Sequence, residues 1–394
     1  MISEVVRRRR ISEASPVKLP PPIVLVFFLH ALAQGGMFSR IPDMQRALGL
    51  DEAQLGLALL GQPAGAILSF LVASLVVERL GTRAIILGTI PGMALVLVLI
   101  ALAPGLPLMW LGFAVFGGVF ALSNIAINVE ADRVEAATGR RIMNTCHGIW
   151  SVGLLTASLI GTAMSGAGVV PAVHFAVLLV PVAIGIALVA WPMHVAPPRP
   201  HAAKTTGLRI ALPTPMILLL LGYAVAASLL EGGLRNWSVI FMRDSFAAPE
   251  WVDTLTLPAF MTAQSIGRLL ADRAVTRWGP VRLARALVLT ALVGLVLVVF
   301  SPNLIVALIG FALIGFGVCV SFPLSTSAAA RLGDRPASEN VAALTMSQQV
   351  LLLGAPALLG WIATVASTRV TFAVMLPPLL LALYLARYLA PRKG

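Results

Sequence analysis

Charge is scarce in this chain. Asp, Glu, Lys and Arg make up 11% of its 394 residues, less than half of the roughly 25% usual for a water-soluble domain, and too little to coat one. Cysteine is nearly absent: Cys146 and Cys319 stand alone in separate apolar stretches, which excludes a disulfide framework or a thiolate metal cluster. No phosphate-cradling glycine loop precedes a Lys-Ser or Lys-Thr pair, which argues against direct use of ATP. Gly139-Arg140-Arg141-Ile142 is a basic loop with no sign of a catalytic site. Neither an enzyme nor a cofactor is expected.

Hydrocarbon is abundant instead. Hydrophobic residues are 59% of the chain and fall into blocks long enough to cross a bilayer, whose core needs roughly 20 apolar residues of helix with every backbone group satisfied inside the segment. The expected spans are 23–43, 53–77, 84–103, 107–131, 142–166, 171–192, 215–241, 252–275, 283–301, 303–329, 338–365 and 370–389. An all-α membrane protein of twelve helices leaves almost nothing for a soluble domain.

The formal charge of +12 invites a nucleic-acid reading, but its placement argues for lipid. Twenty-two of the 28 Lys and Arg residues fall on the side that carries both termini, and that asymmetry puts the termini in the cytoplasm. Arg40, Arg46, Arg243 and Arg369 lie on the opposite side, while Arg235 and Arg268 lie within helices. Arg7–Arg10 followed by Ala31-x-Ala33 imitates a signal peptide. Cleavage there would remove most of the first helix and break the symmetry described next, so an uncleaved helix is expected.

The chain repeats at an offset of 198 residues. Leu111–Gly117 matches Ile309–Gly315, and Ser123 falls on Ser321 in that register. The same offset carries Arg79-Leu80-Gly81 onto Arg277-Trp278-Gly279 and Gly35 onto Gly233. Two six-helix halves follow: a tail at 1–22, a bundle at 23–193, a proline-rich polar linker at 194–214, a second bundle at 215–389 and a tail at 390–394. Such a parallel repeat is the plan of carriers that rock two halves around a midplane site.

At this point the sequence resembles the major facilitator superfamily, over helices 1 to 12. Ser74-x3-Glu78-Arg79-Leu80-Gly81-Thr82-Arg83 looks like its loop 2-3 signature, G-x3-D-R-x-G-x-R, with Ser for Gly and Glu for Asp. Further motifs resemble a bacterial inner-membrane branch related to the fucose permease group, which includes a membrane protein of rhizobial rhizopine gene clusters. They are Ser39-Arg40-Ile41-Pro42 with Leu55–Leu60, Asn128 through Glu135, Gly139-Arg140 with Met143, His147, Trp150, Ser151 and Gly153, and Glu231-Gly232 with Trp237-Ser238. Asn236 stands where that branch commonly has Asp, and a tryptophan usual near Gly36-Met37-Phe38 is replaced. The resemblance implies a multi-pass protein of the bacterial inner membrane, with helices 1, 4, 7 and 10 lining a cavity. The Gly-Pro pair of the superfamily's drug/proton antiporters is missing from helix 5.

Polar residues placed at cost inside lipid carry the chemistry. Glu231 lies well inside helix 7, beside Gly232-Gly233, with Arg235 one turn on in the favourable order. The two form either a self-neutralising structural pair or a carboxylate that alternates between proton, Arg235 and substrate. Asn236 and Trp237 follow on the same helix. His30 and Gln34 on helix 1, and Asn124 and Asn128 on helix 4, either hydrogen-bond a polar solute or serve as interhelical glue. Ser321 and Ser325 on helix 10 bond their own backbone or face the cavity. Glu130, Glu135 and His147, with Asn144 nearby, offer further proton sites or a lock between helices 4 and 5. Glu78, Arg79, Gly81 and Arg83, with Arg268 and Asp272 at the inner end of helix 8, are expected to form a cytoplasmic gate.

The function expected from these residues and this resemblance is secondary transport of a small polar solute (sugar, polyol or inositol-like) by alternating access with proton symport. The protein would be a monomer whose partners are the solute, protons and membrane lipids, with no nucleic acid and no metal. Export of amphipathic compounds, suggested by abundant Met and Phe, is the first alternative; a non-transporting membrane receptor is the second.

Overall fold

The structure is a computed structural model and describes residues 22–139, 142–195, 212–335 and 337–390. The N-terminal tail before 22, most of the 194–214 linker, Arg140 and 391–394 lie outside the described residues, as do the side chains of Ser74, Asn144 and Asp272.

Twelve crossings follow in order. α1 (Pro22–Leu48) breaks after Gly35 and resumes through a tight turn at Phe38–Arg40. The run Glu52–Ala101 holds α2 (52–80) and α3 (82–101), parted at Gly81. α4 (Leu106–Thr138), α5 (Met143–Gly166) and α6 (Pro171–Ala190) complete the first half. The second half is α7 (Pro215–Ser245), a one-turn helix at Glu250–Asp253, α8 (Thr256–Trp278) and α9 (Pro280–Val299), then α10 (Leu304–Ala330), α11 (Ala337–Leu352 and Ala355–Val365) and α12 (Thr368–Leu389). Eleven of the described helices are long and apolar enough to span a bilayer by themselves. α8 falls short because it carries Arg268, Asp272, Arg273 and Arg277, so its place in the membrane is held by its neighbours. Leu188, Leu269 and Phe300 are more than 70% exposed, and such side chains face lipid at no cost.

Local chemistry fixes the ends. Asp51 accepts from the Gln54 amide at 2.7 Å while the Gln54 side chain accepts from the Asp51 amide at 3.1 Å, a reciprocal cap that starts α2. Thr214, Asn303 and Ser367 cap α7, α10 and α12 in the same one-way fashion. Glu135 closes α4 onto α5: its Oε1 accepts the amides of Ile142 at 2.5 Å and Met143 at 2.8 Å.

The 198-residue repeat survives into packing. A Cβ added at Gly112 would lie 2.6 Å from Ile100, and one at Gly310 would lie 2.8 Å from Val298; both glycines and both partners are 198 apart. In the same way Gly117 meets the Gln62 carbonyl and Gly315 the Phe260 carbonyl. Gly81 and Gly279 share one conformation, φ 76 and ψ 155 against φ 77 and ψ 161. That region is essentially reserved for glycine, and nothing lies within 4 Å of a Cβ built at either position. Backbone strain is then the whole cost of a side chain there, about 1–3 kcal/mol. Gly81→Val and Gly279→Val are each expected to lower thermal stability by that amount, as melting of the purified proteins would show.

The halves meet along two seams. α2 lies against the second segment of α11, and α5 against α8. The contacts cluster on the side away from the termini, called here the far side. The Ala53 amide donates to Thr364 at 2.8 Å, and a Cβ at Gly56 would lie 2.6 Å from the Pro356 carbonyl. On the other seam the hydroxyls of Thr162 and Thr254 are 2.9 Å apart, and Gly166 sits against Trp251. Between described residues, no hydrogen bond or ion pair joins the halves on the terminus side of Ser151 and Arg268. The far side is sealed.

Candidate functional site

Glu231 lies sixteen residues after the start and fourteen before the end of the 31-residue α7, Pro215–Ser245, so near mid-membrane. Its Oε1 accepts from Arg235 Nη2 at 2.5 Å. The Arg235 guanidinium reaches the other half, 5.9 Å over the Phe38 ring of α1, while its Nε is buried without a partner. Arg268 of α8 and Gln264, one turn before it, also neighbour the Glu231 carboxylate. Arg268 spans the seam: Nη1 donates to Ser151 Oγ of α5 at 3.2 Å and Nε to the Cys319 carbonyl of α10 at 3.1 Å. Its place differs from expectation. Ten residues separate it from Trp278, roughly 15 Å of helix at 1.5 Å per residue, so Arg268 stands beside Glu231 and not at an inner gate.

Asn236 is half-buried, its Oδ1 unpartnered. Trp237 is wholly buried with its Nε1 unpartnered, and its Cη2 would lie 3.0 Å from a Cβ at Gly360. The indole fills the space behind the α2–α11 seam.

The polar residues of the first half divide. His30 is fully buried, with Nδ1 accepting from Trp150 Nε1 at 3.1 Å and Nε2 2.9 Å from Ser123 Oγ. An indole N–H can only donate, so Nδ1 is the acceptor and Nε2 carries the proton. Ser123 in turn donates to the Phe120 carbonyl at 2.8 Å. His30 thus fastens α1, α4 and α5 together. Gln34 is buried just ahead of the α1 break. Asn124 and Asn128 are half-buried on α4, Asn128 Nδ2 donating to the Asn124 carbonyl at 2.8 Å. In α10, Ser325 donates to the Ser321 carbonyl at 2.7 Å, the backbone-bonded alternative.

On the terminus side, Glu130 is buried and accepts from Thr82 at 2.6 Å, tying α3 to α4, and Glu135 is the α5 cap described above. His147 is exposed, edge-on to Phe27 with centroids 5.4 Å apart. Glu78 and Arg79 are exposed at the end of α2, and Arg83 donates to the Trp191 carbonyl within its own half. The Asp272 side chain lies outside the described residues.

Sequence reasoning missed the far-side cluster. Arg46 of α1 pairs with Glu250 at 2.6 Å and with Asp43 at 2.6 Å. Reciprocally, Arg243 of α7 pairs with Glu52 at 3.6 Å and donates to Gln45 at 3.1 Å. Glu52 and Glu250 are 198 residues apart, so the repeat itself was a signal for these two interhalf pairs. Between them a crevice lined by Ser39, Asp43, Ser165 and Thr254 holds Asp253, whose Oδ1 is buried without a partner.

Asp253 lies outside the spanning helices, in the one-turn helix before α8. Burial pushes its carboxyl up to about 7, against the attraction of Arg243 and Arg46 and with added repulsion from Glu250 and Asp244. Opening the far side would rehydrate it and return it to the ordinary range near 3.9. The sealed state therefore binds the proton more tightly, and its advantage grows as pH falls from about 7 toward about 4. Maleimide labelling of a cysteine placed at Ser165, taken relative to that of a cysteine at exposed Ala47 so that the falling thiolate fraction cancels, is expected to slow as pH drops through that window. In Asp253→Asn that relative rate should be low and flat with pH.

Two pseudo-equivalent six-helix halves, sealed on one side around buried charges, define the architecture of a membrane transporter. The chain belongs to the major facilitator superfamily, whose family model matches residues 23–346. It is 29% identical over 355 residues to an uncharacterized transporter of Sinorhizobium fredii, covering 89% of this chain and 92% of that one. To an uncharacterized MFS-type transporter of Yersinia pestis it is 27% identical over 348 residues, covering 88% and 90%. The membrane protein MosC of Rhizobium meliloti is 26% identical over 321 residues, covering 79% and 75%. Among solved structures, the nucleoside transporter NupG superposes with a TM-score of 0.70 at 13% identity, covering 94% of this chain and 99% of that one. A bacterial homolog of the human lysosomal transporter Spinster gives 0.67 at 15%, covering 93% and 94%. Both likenesses concern the fold.

Proposed function

We propose that this protein is a secondary active transporter of the bacterial cytoplasmic membrane, a monomer with both termini in the cytoplasm. It moves a small polar solute of sugar, polyol or inositol-like kind by alternating access and couples the movement to protons. The Glu231–Arg235 pair carries this reading. A charged pair near mid-membrane costs several kcal/mol of desolvation, and this one sits on the seam between the halves with one guanidinium nitrogen unsatisfied.

In the proposed cycle the solute enters with Arg235 drawn toward it. Glu231 loses its counter-charge and takes up a proton, because an unpaired carboxylate is costly in so poorly hydrated a place. When the halves rock and the far seam parts or closes, Arg235 returns and the proton leaves on the other side. Asn124, Asn128 and Asn236 supply amides to solute hydroxyls. Arg79, Gly81 and Arg83 at the α2–α3 junction govern switching without touching solute.

Counterflow in proteoliposomes tests the reading. Vesicles preloaded with an unlabelled solute that stabilises the purified protein are expected to accumulate its labelled form transiently. A stabilising ligand that gives no counterflow in either protein orientation would identify a receptor instead.

A further inference from the structure

Among the described side chains at the centre, the charges do not cancel. Arg235 and Arg268 face one carboxylate, Glu231, and the three feel one another across the α7–α8 contact. Glu231 is taken by Arg235. Arg268 holds only neutral acceptors, the Ser151 hydroxyl and the Cys319 carbonyl, and among the described residues no carboxylate is ion-paired with it. The facing helices α1 and α4 offer His30, Gln34, Asn124 and Asn128 at this depth, none of them an anion. An unbalanced cation near mid-membrane is costly and is retained where something negative comes to meet it.

The spare hydrogen-bonding capacity points the same way. One turn before Arg268 on the same helix, Gln264 is 3% exposed, and its amide is turned toward the Glu231 carboxylate without closing a well-formed hydrogen bond to it. Arg235 Nε is a second buried donor without an acceptor. Gln264 and Arg268 are four residues apart and therefore share a face of α8. A carboxylate between them would accept from an amide and a guanidinium at once, and charge-assisted hydrogen bonds of this kind are the strong ones.

We infer that the solute is a hydroxylated monoanion, of the sugar-acid kind, whose carboxylate is received by Arg268 and Gln264 while its hydroxyls meet the amides of the other half. This narrows the solute class proposed above and rests on that reading. It also gives Arg268 a role distinct from that of Arg235: the first neutralises the solute, the second answers to Glu231. The extra positive charge would draw the anion to the site, and it would be balanced only when the site is filled.

Matched pairs of acid and neutral counterpart test this on the purified full-length protein in lipid nanodiscs. D-gluconate with D-glucitol and D-galacturonate with D-galactose differ chiefly in the carboxylate. The acids are expected to raise the melting temperature at millimolar concentration and their neutral partners to do so far less. Arg268→Gln should weaken acid binding by at least about tenfold without lowering the melting temperature of the unliganded protein. Arg268→Lys, which keeps the charge but loses the fork, should give an intermediate loss and serves if the glutamine variant fails to fold. Asp272→Asn, one turn on, should leave acid binding within about twofold of wild type.

Equal stabilisation by acid and neutral partner would overturn the inference, as would acid binding unchanged in Arg268→Gln, or no shift with either acid. Strong loss of acid binding in Asp272→Asn would do the same, since it would make Asp272 part of the receiving site. Failure of the transporter reading looks different: an acid that binds through Arg268 yet gives no counterflow contradicts transport and leaves this assignment standing.

Discussion

Glu231→Gln is expected to abolish proton-driven accumulation in proteoliposomes while solute exchange continues. Glutamine keeps the shape and a hydrogen-bond acceptor for Arg235, so the solute still finds its site, but no group there can carry a proton through the cycle. Under an imposed pH difference the variant should bring internal solute only to the external concentration. Arg235→Ala should impair both accumulation and exchange. Removing one partner of a buried pair costs about 3–5 kcal/mol; with side chains 18% and 24% exposed, the lower end applies. Accumulation by Glu231→Gln driven by a pH difference alone would make Glu231 structural and move the search for the proton site to Glu130, Glu135 or His147.

Gly360→Leu should lock the protein with its far side open. A Cβ at Gly360 would run into the Glu52 carbonyl and lie 3.0 Å from Gly56 Cα, and both are backbone atoms that cannot swing aside. Trp237 closes the remaining direction, its Cη2 3.0 Å from the same Cβ. Overpacking of this kind costs about 1–3 kcal/mol, and at the upper end the ratio of sealed to open states falls roughly a hundredfold. Net transport should fall accordingly, while a cysteine at Ser165 becomes reactive to maleimide. Gly56→Leu, which meets the Pro356 carbonyl from the other helix, is expected to behave alike. Normal transport by both variants would mean that the α2–α11 seam is not part of the cycle.

The membrane class, the helices and the repeat were legible because each is written in local composition or in a constant offset. The offset reached further than the motifs it was first read from. Gly56 and Thr254 are 198 residues apart, as are Thr162 and Gly360, so the Gly56–Gly360 contact on one seam is the repeat mate of the Thr162–Thr254 contact on the other. Glu52 and Glu250 keep the offset, while their partners Arg243 and Arg46 are 197 apart, one residue out of register. His30 was ambiguous for a physical reason: its partners Ser123 and Trp150 are 93 and 120 residues away in sequence, and only packing decides between ligand and lock. The burial of Trp237 against the α2–α11 seam was not legible either, because hydropathy does not say which way an aromatic on an apolar helix turns. Arg268 was read as a gate because hydropathy set α8 at 252–275, whereas the helix runs Thr256–Trp278. The repeat could not correct this, since the residue 198 before Arg268 is Phe70.

Alternating access is the central claim, and a pair of spin-label distances measures it most directly. One pair, at Ala47 and Ala247, reports the exposed far side; the other, at Ala137 and Arg277, reports the exposed terminus side. Double electron–electron resonance on both pairs, with and without a stabilising solute and across pH 4 to 8, the range in which Asp253 with its raised pKa of about 7 changes charge, should show two populations that exchange in opposition. As the far-side distance lengthens, the terminus-side distance should shorten. Distances that stay fixed under every condition, or that lengthen together, would contradict it.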